Sequence, residues 1–340
     1  MAAFMELRGA GLIEKDTNGD VLWTWSYPSV SAQQRDYVQL KCGLSGEQPY
    51  PAGFIFCQWR QVWYYIFRAD ISSAGDVGPL SKVTEVALVL MSRDFNPEKY
   101  ETLCQILLRQ YRQTGSPTSI LEGYLSVATR GTCANDENGK FSLGDYDRRQ
   151  AYAKVCLKEI IQTFGVETIL IYTAMMLKKR ILIYCPHHSL SQLLQYTRSV
   201  PALAWHRQNW NIVYPYVHLD ESETEDLTSA SHYVAGVTEA SAEGRTDLYD
   251  IFVNIPNSQI SIAPHAKESF AMGKLHKDIA MAMEVAGKTK ELLNNLKSLA
   301  STGDDGKPSL TLETLKARKM PPATENFLFS LAACEGFVQL

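Results

Sequence analysis

The sequence predicts an α/β fold in two lobes, an α+β lobe over residues 1–131 and a layered α/β lobe over residues 147–340. Three observations carry that expectation. Strand-like stretches dominate the first 93 residues, and two well-capped amphipathic helices follow them. Residues 132–146 are polar, contain glycine and show no periodicity, so they read as a linker. Beyond them helical and strand patterns alternate, as expected where helices are layered on a sheet.

In the first lobe, Leu12-Ile13-Glu14-Lys15 and Val21-Leu22-Trp23-Thr24-Trp25 flank an Asn18-Gly19 pair. That pair supplies the positive φ angles a tight hairpin needs. Phe54-Ile55-Phe56 and residues 62–67 are β-branched and aromatic, with room for a turn at 58–61. Residues 83–91 are mostly apolar and predict a strand central in its sheet. Asn96-Pro97 then opens a helix, the side chain capping and proline sitting where its missing N–H costs nothing. Tyr100, Leu103, Cys104, Leu107, Leu108 and Tyr111 mark its apolar face, and Gly115 ends it. Ser116-Pro117 starts the next helix by the same device, with Ile120, Leu121, Tyr124, Leu125 and Ala128 turned inward.

In the second lobe, residues 148–163 predict a helix with Leu157, Ile160, Ile161 and Phe164 inward. A helix over 166–178 leads into a short buried strand over 180–185, stopped by Pro186. A helix at 189–199, a strand at 211–217 and an acidic surface helix capped near Asp220 follow. Residues 249–253 and 259–262 pair as a hairpin around Pro256-Asn257-Ser258. Helices over 266–300, a Gly/Asp loop at 303–308 and a last helix near 323–335 complete the lobe.

Composition narrows the function classes. With 45% hydrophobic and 21% charged residues, the 340-residue chain has ample material for a core. Its 33 basic and 37 acidic residues give a net charge of −4, without the basic excess that a phosphate backbone requires. Seven cysteines, widely spaced and with no CxxC pair, suit reduced thiols in the cytoplasm. No phosphate-binding loop, dinucleotide fingerprint, nucleophile elbow or HExxH helix is present. No metal and no cofactor is expected.

Several local clusters could be either sites or ordinary structure. His187-His188 beside Cys185 reads as a solvated turn, since adjacent residues rarely reach one metal. His265 and His276 are too far apart for one site, and Asp304-Asp305-Gly306 lacks the later oxygen ligands of a calcium loop. Of the aromatic cluster, Trp63, Tyr65 and Phe67 are assigned to the core, leaving Trp59, Arg60 and Tyr64 as surface anchors. Lys178-Lys179-Arg180 is either a cation cluster favoured by a helix C-terminus or a contact for an acidic partner. Arg207, within Trp205-His206-Arg207-Gln208-Asn209-Trp210, either pairs with a buried carboxylate or lies on a binding edge.

The second lobe resembles the DENN-domain family. Phe164-Gly165-Val166-Glu167-Thr168-Ile169-Leu170, then Ala174-Met175-Met176-Leu177-Lys178-Lys179-Arg180-Ile181-Leu182-Ile183-Tyr184, is similar to its central signature, an apolar helix ending in a basic pair before a strand. The likeness continues through residues 201–210, 214–217, 233–236 and 248–254, and upstream through 11–19 and 94–100. It reaches residues 321–328, so it covers the whole chain. The resemblance implies a bilobed DENN module, with a longin-like N-terminal lobe and a layered α/β C-terminal lobe. It also implies guanine nucleotide exchange on a Rab GTPase, in late endosomal vesicle trafficking, by binding the switch regions and promoting GDP release.

Such an activity breaks no covalent bond. A roughly 10³-fold faster release needs about 4 kcal/mol of barrier lowering, which a protein–protein surface with a few anchors can supply. The groove between the lobes is the expected seat of the GTPase, with Tyr64, Lys179, Arg180 and Arg207 as candidate anchors. The same resemblance also implies a place in a Commander-type endosomal recycling assembly, and the rival reading is a non-catalytic scaffold subunit of it, since fold does not fix function. A third, a GTPase-activating protein with Arg60 as an arginine finger, needs that side chain exposed. The protein is expected in the cytoplasm, reaching late endosomes through its partners.

Overall fold

The structure, a computed structural model, describes residues 6–46, 53–71, 80–135, 139–270, 285–302 and 308–338. The fold is α/β, as the sequence predicts, and the chain divides into two compact units. The first comprises Met1–Lys154 and His187–Leu194, the second Val155–Pro186 and Gln195–Leu340.

The first unit is built on a five-stranded antiparallel sheet of β1 (Leu7–Asp16), β2 (Val21–Tyr27), β3 (Phe54–Trp59), β4 (Val62–Asp70) and β5 (Val83–Ser92). Their order is β2-β1-β5-β4-β3, so β5 is central as expected. In the β1–β2 turn the Asp16 carboxylate accepts from the backbone N–H groups of Asn18 and Asp20, and Gly19 takes φ 90°. The β3–β4 loop shrinks to Arg60-Gln61, with φ 48° and 62°, the two-residue turn whose twist matches the strands.

Helices α2 (Pro97–Thr114) and α3 (Pro117–Arg130) start and stop where the capping residues place them. All six predicted inward residues of α2 are buried. On α3, Leu125 is exposed and Val127 is buried instead. Where α2 leaves β5, a polar knot closes the corner. Asp94 accepts from the Lys99 ammonium (2.5 Å), the Ser92 hydroxyl (2.6 Å) and the Tyr100 hydroxyl, and its backbone carbonyl accepts from Tyr65 (2.7 Å). Asp94 and Lys99 are both buried, so this ion pair has left water and stands on its hydrogen bonds.

Two elements here depart from the sequence reading. Helix α1 (Ala32–Cys42) lies in a stretch to which the sequence reading assigned no element, in a region read mostly as strands. Its capping box of Ser31 and Gln34 was the available signal, but its weakly amphipathic sequence gave no apolar stripe to support it. The segment 132–146 is not an open linker, because it forms a hairpin of β6 (Thr132–Asn135) and β7 (Gly139–Ser142). Its two buried apolar side chains, Cys133 and Phe141, face each other across the strands, too few to show a period. The compact unit accordingly runs on to Lys154 instead of ending at residue 131.

In place of one helix over 148–163 there are two, α4 (Arg148–Ala153) and α5 (Leu157–Phe164), and Ile161 is exposed rather than inward. α5 opens the second unit, followed by α6 (Thr168–Met176), which is buried almost all round. Strands β8 (Ile181–Tyr184), β9 (Val213–Val217), β10 (Val234–Val237), β11 (Ile251–Asn254) and β12 (Gln259–Ile262) form a sheet ordered β12-β11-β8-β10-β9. Only β12 is antiparallel, through the predicted hairpin with β11. Strand β10 was not expected from the sequence, since Ala235 and Gly236 at its centre carry little strand propensity.

Helix α7 (Leu190–Ser199) and the acidic helix α8 (Glu221–Ser229), capped by Asp220, occur as predicted. The helix Val285–Leu299 is joined to α6 by Tyr172 and Thr289, whose hydroxyls are 2.9 Å apart. A short helix, Leu312–Lys316, was not anticipated, whereas Pro322–Cys334 matches the predicted last helix. Residues 271–284 of the expected 266–300 helices, His276 and Asp304-Asp305-Gly306 lie outside the described residues. All seven cysteines are free thiols. Among the described residues no helix is long and apolar enough to cross a membrane.

Candidate functional site

The four candidate anchors occupy different environments. Tyr64 is 1% exposed and is not a surface residue. Side chains alternate along a strand, so Tyr65 faces α2 while Tyr64 faces α1, where Tyr37 packs 5.2 Å from its ring. The Gln34 amide donates to the Tyr64 hydroxyl, and burial pushes its pKa up to about 12. Trp59, the other aromatic assigned to the surface, is also buried and stacks on Tyr37 at 5.0 Å. The unanticipated α1 covers both rings. Arg60 is exposed, over the Trp59 ring and in reach of Gln33. Trp63 and Tyr65 lie in the core as expected, with Phe67 half-buried.

Arg180 is a staple between two parallel strands. Its backbone N–H and its Nε both donate to Asp250 Oδ2 (2.7 and 3.4 Å), and its Nη2 donates to Asp250 Oδ1 (3.2 Å). Nη1 donates to the Asp247 carbonyl at 2.6 Å, and the His265 Nε2 lies 2.9 Å from Asp250 Oδ1. Burial acts to raise the Asp250 pKa, but the Arg180 and His265 hydrogen bonds outweigh it and hold the carboxyl below its ordinary value. Arg180 therefore fixes the entry of β8 against β11. Arg180→Glu is expected to lower stability by about 2 kcal/mol, because it sets a second carboxylate beside a largely buried one. A urea midpoint that does not move would show that the fork is dispensable.

Arg207 follows the first of its two sequence readings. Its Nε and Nη2 donate to Glu335 Oε1 (3.1 and 2.5 Å), while Nη1 and Nη2 donate to the carbonyls of Met175 (2.6 Å) and Met176 (2.7 Å). It thus caps the C-terminus of α6 and ties it to the residue that ends the last helix. The His206 Nε2 is 3.1 Å from the same Glu335 oxygen, and these partners overcome burial to hold the Glu335 pKa at about 2. Lys179 is half-buried and forms no side-chain ion pair among the described residues. Of the four anchors, it alone keeps its side chain available.

A pocket of about 300 Å³ lies within the second unit. Met175, Pro201, Ala204 and Ile212 supply its apolar lining, and Lys178, Arg207, Asn209 and His232 its polar lining. Lys178, Ile212 and His232 stand just before β8, β9 and β10, so the pocket sits at the N-terminal edge of the parallel sheet. Open α/β sheets usually hold ligands at the opposite edge. Burial, then Lys178 and Arg207, lowers the pKa of His232. Sequence reasoning placed Lys178 in a basic run and Asn209 in the segment around Arg207, and passed over His232. They come together only through the pairing of β10 with β8 on one side and β9 on the other, and the strand that brings His232 in was itself unrecognised.

Comparison with known proteins fits this architecture. A family model described as SPA, stabilization of polarity axis, matches residues 155–264, beginning where the second unit begins. The chain is 44% identical over 346 residues to DENN domain-containing protein 10 of Danio rerio, covering 97% of each. It is 44% identical to DENN domain-containing protein 10 of Homo sapiens, over 98% of this chain and 96% of that protein. The Dictyostelium discoideum protein of the same name is 36% identical over 96% of both. With such identity sustained through both units, the chain belongs to the DENN domain-containing protein 10 family.

Proposed function

We propose that this protein is a guanine nucleotide exchange factor for a Rab GTPase, promoting GDP release in late endosomal trafficking. The observation that supports this reading is the 44% identity, across both units, to a protein named for its DENN domain. Exchange requires that the factor bind the nucleotide-free GTPase better than the GDP-bound form, so that by linkage it weakens GDP by the same factor. Lys179 is the cation of this proposal, since Arg180 and Arg207 spend their hydrogen bonds inside the fold. Fluorescent GDP release should be followed across a panel of purified Rabs with the protein at micromolar concentration. One or more Rabs are expected to release GDP faster. Lys179→Glu is expected to slow that release by roughly tenfold without moving the melting temperature. Release unchanged by the wild-type protein across the panel refutes the exchange reading.

The second reading is the scaffold subunit of a Commander-type assembly. It is favoured by one observation, that three of the four candidate anchors are engaged within the fold. Stable capture of assembly subunits, with no effect on GDP release, would support it.

A further inference from the structure

We propose that the pocket between the end of α6 and the starts of β9 and β10 binds a phosphate monoester borne on a compact, partly apolar body. The proposal is independent of the exchange reading, and it begins with charge. Lys178, Arg207 and His232 line the pocket, and no carboxylate does. Arg207 is balanced by Glu335, whereas Lys178 forms no ion pair among the described residues. Lys178 and Arg207 both act to keep His232 neutral, so these groups repel a further proton in one concave space. Such an arrangement is destabilising by itself and becomes favourable when an anion enters.

The donor inventory selects the kind of anion. Arg207 commits Nε, both Nη2 hydrogens and one Nη1 hydrogen, leaving a single N–H. The Asn209 side-chain Oδ1 accepts from the Asn211 backbone N–H, which leaves the side-chain Nδ2 as the group to offer. Lys178 brings three donors, and the His232 ring, whose Nδ1 is 3.0 Å from Ser231 Oγ, keeps its second nitrogen. This lining is rich in donors and poor in acceptors. The three terminal oxygens of a phosphate monoester use such a set more fully than the two of a carboxylate. The volume exceeds that of a phosphate alone, and the Met175, Pro201, Ala204 and Ile212 surface suits the body that carries it.

The backbone gives another reason to regard Lys178 as functional. The Lys179 N–H donates to Ala174 O (2.8 Å) and the Lys178 N–H to Met175 O (3.3 Å), which is the closing pattern of a helix that ends in a left-handed residue. Lys178 is that residue, with φ 49°, where glycine would sit without strain. Gln208, next to Asn209 at the other side of the pocket, is also left-handed, with φ 44°. A side-chain-bearing residue held in this conformation at a helix end points to a use for its side chain.

The experiment separates use from structure. Phenyl phosphate, inorganic phosphate and benzoate are titrated into the full-length protein while the His232 ring resonances are followed by NMR. Phenyl phosphate is expected to bind with a Kd below about 1 mM and to raise the His232 pKa by about one unit. Inorganic phosphate should bind more weakly and benzoate more weakly still. Lys178→Gly is expected to raise the melting temperature by relieving the backbone, yet to weaken phenyl phosphate roughly tenfold or more. Phosphatidylcholine vesicles with and without a phosphoinositide monophosphate identify the source. Phosphoinositide-dependent sedimentation assigns a lipid headgroup, and binding of phenyl phosphate without sedimentation assigns a soluble ligand. Benzoate binding as tightly as phenyl phosphate overturns the proposal in favour of an acidic peptide. No change at His232 up to about 10 mM phenyl phosphate, or a Lys178→Gly variant that binds like the wild type, overturns it outright.

Discussion

Asp94→Ala is expected to destabilise the first unit by about 3–5 kcal/mol. The substitution leaves the Lys99 ammonium buried without its counter-charge and strips acceptors from the Ser92 and Tyr100 hydroxyls. The sign with pH follows from the same contacts. Although burial acts the other way, Lys99, Ser92 and Tyr100 together hold the folded Asp94 pKa below its ordinary value of 3.8. Its stabilisation is therefore complete above that value and is lost as the pH falls through the lower, folded pKa. Denaturant titrations between pH 7 and pH 2 would show this as a falling midpoint in the wild type. The double variant Asp94→Asn with Lys99→Met should recover part of the loss, because no unpaired charge then remains. A single Asp94→Ala variant as stable as the wild type would mean that the knot contributes nothing beyond its packing.

Arg207→Ala is expected to cost about 3 kcal/mol in the second unit. Three groups lose a donor at once: the Glu335 carboxylate, which keeps only His206 among the described residues, and the carbonyls of Met175 and Met176. Arg207→Lys should recover little, since one ammonium cannot reproduce a fork that meets a carboxylate and two carbonyls together. The folded Glu335 pKa of about 2 lies below its unfolded value of 4.5. The contribution is thus present above about pH 4.5 and fades between there and about pH 2. With the site partly open to solvent, it amounts to about 2 kcal/mol. In Glu335→Gln that acid-dependent component should vanish, and a wild-type acid transition that persists in this variant would assign it elsewhere. Because Arg207 also lines the phosphate pocket, Lys178 rather than Arg207 is the residue to vary when binding is the question.

Most of the architecture was legible because local chemistry and tertiary structure agree along much of the chain. Asn96, Pro97 and Gly115 bound α2 in the sequence and in the structure alike, since capping and proline geometry act within a few residues. The alternation of helices and strands after residue 155 carries the layered fold for the same reason. Helix α1, the 132–142 hairpin and β10 escaped notice because each is short or weakly patterned and is stabilised by what it packs against. That omission moved Tyr64 and Trp59 to a surface they do not occupy.

The sequence by itself determined the fold class, the family and the presence of a basic run before β8. Only the tertiary structure decided what each cation does. Arg180 meets Asp250, 70 residues away, and Arg207 meets Glu335, 128 residues away, whereas Lys178 is turned by a left-handed backbone toward a pocket that holds no carboxylate. A charge carries no mark in the sequence of whether its partner lies within the fold or outside it. Pairing depends on distances of a few ångströms between segments far apart in the chain, and those distances exist only once the sheet has formed.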